Sequence, residues 1–151
     1  MINDVIIKKI DKYEDERGFL SELFRTDDLN SYLPEMAYIS YTKPGVKRGP
    51  HEHKYQSDLF IFLGPGSFNL YLWDRRDGSS TKGEKIVIEV GENNPSLVLV
   101  PPGVVHGYKC VSDIDAMSLN FPDKLYRGQK KLEEVDEIRW EQNENNPYII
   151  D

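Results

Sequence analysis

The 151-residue chain has one cysteine, Cys110, so no intrachain disulfide can form and a packed core must hold the fold. A lone free cysteine reads as a small buried apolar residue. No stretch approaches the roughly 18 apolar residues of a membrane-crossing helix, and residues 1–9 lack the apolar run of a signal peptide, so no membrane role is expected and the cytoplasm is the expected location. An excess of basic charge is missing too. With 19 Lys and Arg against 26 Asp and Glu, the net charge of −7 excludes broad attraction to nucleic acid or anionic lipid. Lys43, Lys47, Arg48 and Lys54 nevertheless cluster along the chain, which leaves room for a small anionic ligand. Helix-forming pattern is scarce: only residues 27–32 and 130–135 read as short helices. Repeats, low-complexity tracts and linkers are absent, and the length suits a single domain over residues 1–151.

What is present is a series of short apolar or alternating runs separated by turn residues. Strands are expected at residues 5–9, 18–24, 36–42, 59–63, 67–73, 84–90, 96–100, 107–110 and 116–120. Breakers fall at Pro44-Gly45, Gly64-Pro65-Gly66, Asp77-Gly78, Asn93-Asn94-Pro95 and Pro101-Pro102-Gly103. The pattern is all-β, a sandwich or barrel. Phe60, Phe62, Phe68 and Tyr71 read as core, Lys124 to Glu137 as a charge-balanced solvated surface, and the Asn-rich tail 141–147 as loosely held.

The chemistry sits with the only three histidines. In Arg48-Gly49-Pro50-His51-Glu52-His53, one intervening residue puts both rings on the same face of an extended strand. In Pro101-Pro102-Gly103-Val104-Val105-His106, a rigid turn delivers the third histidine at the start of another strand. His-x-His, then Asp58, the Gly64 turn and Pro-x-Gly-x-x-His together resemble the two motifs of the cupin superfamily, which implies a double-stranded β-helix, or jelly-roll barrel, with minor short helices.

Two further segments narrow the resemblance. Asp15-Glu16-Arg17-Gly18-Phe19-Leu20 and Asp74-Arg75-Arg76-Asp77-Gly78-Ser79-Ser80-Thr81-Lys82-Gly83 are similar to signatures of the dTDP-4-dehydrorhamnose 3,5-epimerase family, and Pro102-Gly103-Val104-Val105-His106-Gly107-Tyr108 to its histidine turn. The resemblance implies a homodimer with an exchanged N-terminal strand, acting on a nucleotide-linked 4-keto-6-deoxy sugar without a cofactor. His51 then corresponds to the base, with His53, His106 and Tyr108 as further catalytic candidates. Arg17, Phe19 and Glu22 correspond to nucleotide contacts and Arg48 to a diphosphate contact, with Tyr38 and Tyr55 as further substrate-binding candidates. An arginine fork suits phosphate, and an aromatic ring suits a base.

This chain departs from the family pattern at three places. The family's enolate-stabilising lysine aligns near Asp58, its acid tyrosine near Met117, and the carboxylate that orients its base near Glu141, after Trp140. The Arg-Gly-x-His-x-His segment is also similar to that of the sugar-nucleotide 3,4-ketoisomerases, which move a ketone along the ring. Two alternatives stand beside these: a metal-dependent cupin in which His51, His53, Asp58 and His106 hold a divalent ion, and a nucleotide-sugar binding module without catalysis.

Overall fold

Runs such as Leu59-Phe60-Ile61-Phe62 and Leu97-Val98-Leu99-Val100 carry apolar side chains on both strand faces, so each must be covered twice. The computed structural model, which describes residues 1–29 and 32–151, meets this demand with two packed sheets and an outer covering on each. In chain order the strands are β1 (Ile6–Lys9), β2 (Tyr13–Asp15), β3 (Gly18–Leu20), β4 (Tyr38–Thr42), β5 (Lys47–Glu52), β6 (Asp58–Phe62), β7 (Ser67–Asp74), β8 (Lys85–Gly91), β9 (Ser96–Val100), β10 (Val104–Cys110), β11 (Ala116–Asn120) and β12 (Ile138–Arg139). One sheet runs β1-β9-β6-β11-β4, the other β12-β5-β10-β7-β8, and β2 and β3 form a separate hairpin. All recorded pairings are antiparallel, giving the jelly-roll barrel expected of a cupin.

Between the sheets, Phe60, Phe62, Phe68, Leu70, Leu72, Val98, Val104, Tyr108 and Cys110 interlock, and Tyr108 meets Phe68 edge-on with ring centroids 4.9 Å apart. Leu59, Ile61, Leu97 and Leu99 face the other way and are covered by Ile10, Leu23, Phe24 and Leu29 from the N-terminal segment. The opposite sheet shows Tyr71, Trp73 and Val105 on its outer side, covered by Trp140, Tyr148 and Ile150. Tyr71 is thus buried under the C-terminal segment, not in the inter-sheet core with the three phenylalanines, because odd and even positions of β7 face opposite sides. These contacts fall on either side of the tail expected to be loose, 141–147, which is itself largely exposed; residues 148–151 beyond it are held by them, by a hydrogen bond from the Tyr71 hydroxyl to the Asp151 carbonyl, and by one from the Lys47 ammonium to the Ile150 carbonyl.

Neither expected helix forms as drawn. Residues 26–29 make a turn, Tyr32 lies outside regular structure, and Asn30 and Ser31 lie outside the described residues. Of 130–135, only the start joins a short 3-10 turn, Gln129–Lys131, since Arg127, Lys130 and Lys131 sit at φ of 61°, 53° and 61°, left-handed values that a right-handed helix cannot propagate.

The Asp74 signature segment is structural. The Asp74 carboxylate accepts hydrogen bonds from Arg76, Ser79 and Thr81, and Arg76 continues to the Asn3 carbonyl and Asp4, so this turn ties the N-terminus to the end of β7. The Arg76 hydrogen bond, reinforced by those from the two hydroxyls, outweighs desolvation and holds the Asp74 carboxyl below the usual carboxylate range.

Candidate active site

Strands β5 and β10 lie side by side with His51 opposite His106. The close approach needs glycine: a Cβ on Gly49, at φ +77°, would stand 2.8 Å from the His106 carbonyl oxygen, and one on Gly107 would stand 2.7 Å from the Arg48 carbonyl oxygen. His53 follows two residues after His51 on the same side, so three imidazoles converge, with ring centroids 4.4 Å apart for His51 and His106 and 5.5 Å apart for His51 and His53.

Asp58, at the start of β6, is the buried anion of the cluster. Its Oδ2 lies 3.0 Å from His53 Nε2 and 3.1 Å from His106 Nε2, while its Oδ1 accepts hydrogen bonds from Gln56 Nε2 and Asn120 Nδ2, both at 2.9 Å. The other nitrogens meet backbone carbonyls: His106 Nδ1 meets Val104 O at 3.0 Å, and His53 Nδ1 meets Asp136 O. The Asp136 carboxylate in turn accepts the backbone N–H groups of Lys54, Tyr55 and Gln56, fixing the turn after His53.

The three imidazoles and the carboxylate differ electrically. Burial of Asp58 favours its neutral form, but hydrogen bonds from His106 and His53 overcome that and hold its carboxyl well below the usual range. Burial likewise lowers His53, yet the Asp58 hydrogen bond and charge raise it on balance to about 9. His51 makes no contact of that kind: burial, with the neighbouring His106 and His53, pushes it well below the ordinary imidazole value. Its nearest carboxylate is Glu137, whose Oε1 is 3.9 Å from His51 Nδ1 and whose Oε2 accepts a hydrogen bond from Arg139. Glu141, expected at this position from the sequence, lines the cavity without a recorded contact to His51.

Of the cluster, His51 and His53 form part of the wall of a cavity of about 1240 Å³, large enough for a drug-sized or larger ligand, with Asp58 and His106 buried behind them. Arg48, Tyr38, Tyr55 and Tyr108 line it as well. Arg48 donates to Thr42 Oγ1 and to the Tyr41 carbonyl, which fixes its guanidinium beside β4. Tyr108, Ser118 and Ser40 form a chain of hydroxyls with steps of 3.1 and 3.0 Å, and the Tyr38 hydroxyl accepts a hydrogen bond from Asn120. Burial and the Asp58 charge keep Tyr38 above the usual phenol range, so it remains a neutral hydroxyl. Met117 is less buried than its neighbours Ala116 and Ser118, and neither Met117 nor Ser118 lines the cavity; the buried Ser118 hydroxyl instead bonds the lining residues Tyr108 and Ser40.

The segment 124–137, expected as plain surface, forms a rim of this cavity with Lys124, Arg127, Lys130 and Lys131 among its lining residues. Arg17, Phe19 and Glu22 do not line it. Arg17 pairs with Asp15 on the β2–β3 hairpin, Phe19 is exposed under the Lys12 ammonium, and Glu22 pairs with Arg25. Glu137, Gln56, Asn120 and Asp136 were not singled out as site residues from the sequence, and of these only Gln56, three residues after His53, lies close enough to the motif to have been flagged.

The surroundings of this barrel match known proteins. A protein from Bacillus subtilis named for spore coat polysaccharide biosynthesis is 39% identical over 128 residues, covering 83% of each chain. A probable low-salt glycan biosynthesis epimerase from Haloferax volcanii is 36% identical over 127 residues, covering 83% of this chain and 81% of its own. The crystal structure of a dTDP sugar isomerase from Desulfovibrio desulfuricans superposes with a TM-score of 0.85 at 21% identity, over 98% of this chain and 91% of that one, and so shares the fold. The described pattern of dTDP-4-dehydrorhamnose 3,5-epimerases fits residues 1–145, and the chain belongs to that family.

Proposed function

We propose that this protein catalyses epimerisation, or migration of a ketone, on a nucleotide-diphosphate 4-keto-6-deoxy sugar, with His51 as the base. Family membership makes it a sugar-nucleotide epimerase or isomerase. The observation that carries the assignment of the base is the neutral imidazole of His51 in the wall of the cavity, free of the Asp58 hydrogen bonds that engage His53 and His106.

A carbon acid beside a ketone needs a base, a donor for the enolate oxygen and a source of the returning proton. His51 abstracts the proton. Tyr38, a neutral hydroxyl whose oxygen already accepts from Asn120, offers its O–H to the enolate oxygen. The hydroxyl chain Tyr108–Ser118–Ser40 provides a second route for a proton. Arg48 and Lys47, both lining the cavity, suit a diphosphate.

Arg17, Phe19 and Glu22 serve a partner subunit's cavity in this proposal, through a cytoplasmic homodimer with exchanged N-terminal strands. Two observations support it: Phe19 and Leu20 of the hairpin are exposed, and β4 is an edge strand of its sheet with Ile39 and Tyr41 exposed. Sedimentation analysis showing a monomer at micromolar concentration would remove this part.

The test is proton NMR in deuterium oxide with dTDP-4-keto-6-deoxyglucose, comparing wild type with His51→Ala. Deuterium entering C3 or C5 with a changed configuration marks an epimerase; a new ketone position marks a ketoisomerase. Binding of the nucleotide sugar with no exchange at all would reduce the protein to a binding module.

A further inference from the structure

We propose that Glu52 is a positioning residue: from the outer face of β5 its carboxylate, through Trp140, locks the register of β12 and so holds Glu137 beside His51 and the Asp136 carbonyl on His53.

Glu52 stands between His51 and His53 in the sequence, and the alternation of a strand turns its side chain to the opposite face. That face of the sheet is apolar. Tyr71, Trp73 and Val105 occupy it, covered by Trp140, Tyr148 and Ile150, and Glu52 itself is 1% exposed. A carboxylate buried there costs desolvation that an apolar side chain of similar size would avoid, so packing alone gives no reason for it. Its partners do. Glu52 Oε1 accepts hydrogen bonds from the Trp140 indole N–H, at 3.1 Å, and from the Arg75 guanidinium. Arg75 also lies over the Trp140 ring, 5.2 Å from its centroid, so the three side chains close on one another.

The strand anchored in this way cannot fix its own register. β12 is two residues long, with Ile138 opposite Glu52 and Arg139 opposite His51. So short a pairing holds few ladder hydrogen bonds, and a slip by one residue would turn its side chains to the other face. Two side-chain anchors bracket it instead. Before β12, the Asp136 carboxylate takes the N–H groups of Lys54, Tyr55 and Gln56; after it, Trp140 is held by Glu52. Between the anchors lies Glu137, its Oε1 3.9 Å from His51 Nδ1, and the Asp136 carbonyl meets His53 Nδ1. Glu52, Arg75 and Trp140 do not line the cavity, so they act only through the segment they hold.

The catalytic meaning of this lock rests on the proposed function; the lock itself does not. The test compares Glu52→Ala, Glu52→Gln and Trp140→Phe with wild type in two measurements. One is kcat and KM for deuterium exchange into dTDP-4-keto-6-deoxyglucose, and the other is amide hydrogen exchange of β12 against β7 and β10, followed by NMR. Glu52→Ala should lower kcat about 10- to 100-fold with KM within about 2-fold, and should lose protection in β12 while β7 and β10 keep theirs. Glu52→Gln, whose amide oxygen still accepts from both donors, should keep kcat within about 3-fold of wild type. Trp140→Phe keeps a ring and removes the N–H; it should fall between the two, and it decides where Glu52→Ala does not fold. Protection of β12 that is absent in wild type, or unchanged together with kcat in the folded variants, overturns the proposal. So does a loss in Glu52→Gln as large as in Glu52→Ala, or protection lost equally in β7, β10 and β12, which marks Glu52 as a structural residue only. Absence of exchange in wild type would remove the proposed function, and the protection of β12 would then decide the lock alone.

Discussion

The two ends of the barrel are built from the same strands and differ in chemistry. Along β6 the inward positions run Asp58, Phe60, Phe62; along β10 they run His106, Tyr108, Cys110; along β11 they run Asn120, Ser118, Ala116. One end of each strand enters the apolar core and the other enters the polar cluster. Tyr108 stands between, its ring against Phe68 and its hydroxyl on Ser118. The period of two that packs the closed end also aims the polar side chains of the open end, so the rigid apolar half holds the reactive half in register.

Substitutions at the two ends should therefore have opposite signatures. The largest effect is expected at the open end: His51→Ala should slow solvent deuterium exchange by about 10²- to 10⁴-fold, measured by NMR, with little change in melting temperature. At the closed end, Phe62→Ala, at a fully buried position, should cost about 3–5 kcal/mol in urea unfolding while leaving the rate of the folded fraction nearly intact. Equal loss of rate from both variants would erase the distinction between the ends.

A third site sharpens the comparison because it is polar yet structural. The Asp74 carboxyl is depressed in the folded state, so its stabilising contribution is present above the unfolded carboxylate pKa of about 3.9 and is lost as pH falls below it. Asp74→Asn should flatten the fall in stability between about pH 5 and 2, as read from urea midpoints, and leave exchange at neutral pH unchanged. The smallest effect is expected on the exposed hairpin: Phe19→Ala should weaken nucleotide binding by about 3- to 10-fold in calorimetry, with no change in monomer stability.

Most of the fold was legible because most strands carry apolar residues on at least one face. Residues 96–100 and 116–120 form the strands expected, and the remaining expected strands shift by one residue or a few, or shorten as at 18–24. The strand that carries the histidines, β5, left no such trace: Lys47-Arg48-Gly49-Pro50-His51-Glu52 has no apolar alternation, since its inward side faces the polar cluster and its Glu52 meets Trp140 and Arg75 on the outer side. The histidines themselves were visible as motifs, and the structure gathers His51, His53, Asp58 and His106 into one cluster. Glu137 was not visible, since the approach of β12 to β5 joins segments far apart in sequence and no local pattern announces it. Arg17, Phe19 and Glu22 were legible only through family resemblance, and a single chain does not bring them to the cavity.

The central claim is that proton abstraction belongs to the open end and to His51 in particular. The most direct measurement is the rate of deuterium incorporation next to the ketone of dTDP-4-keto-6-deoxyglucose in three proteins, wild type, His51→Ala and Phe62→Ala, at a temperature where circular dichroism shows all three folded. The account predicts exchange in wild type and Phe62→Ala and its loss in His51→Ala; exchange in His51→Ala at the wild-type rate would contradict it.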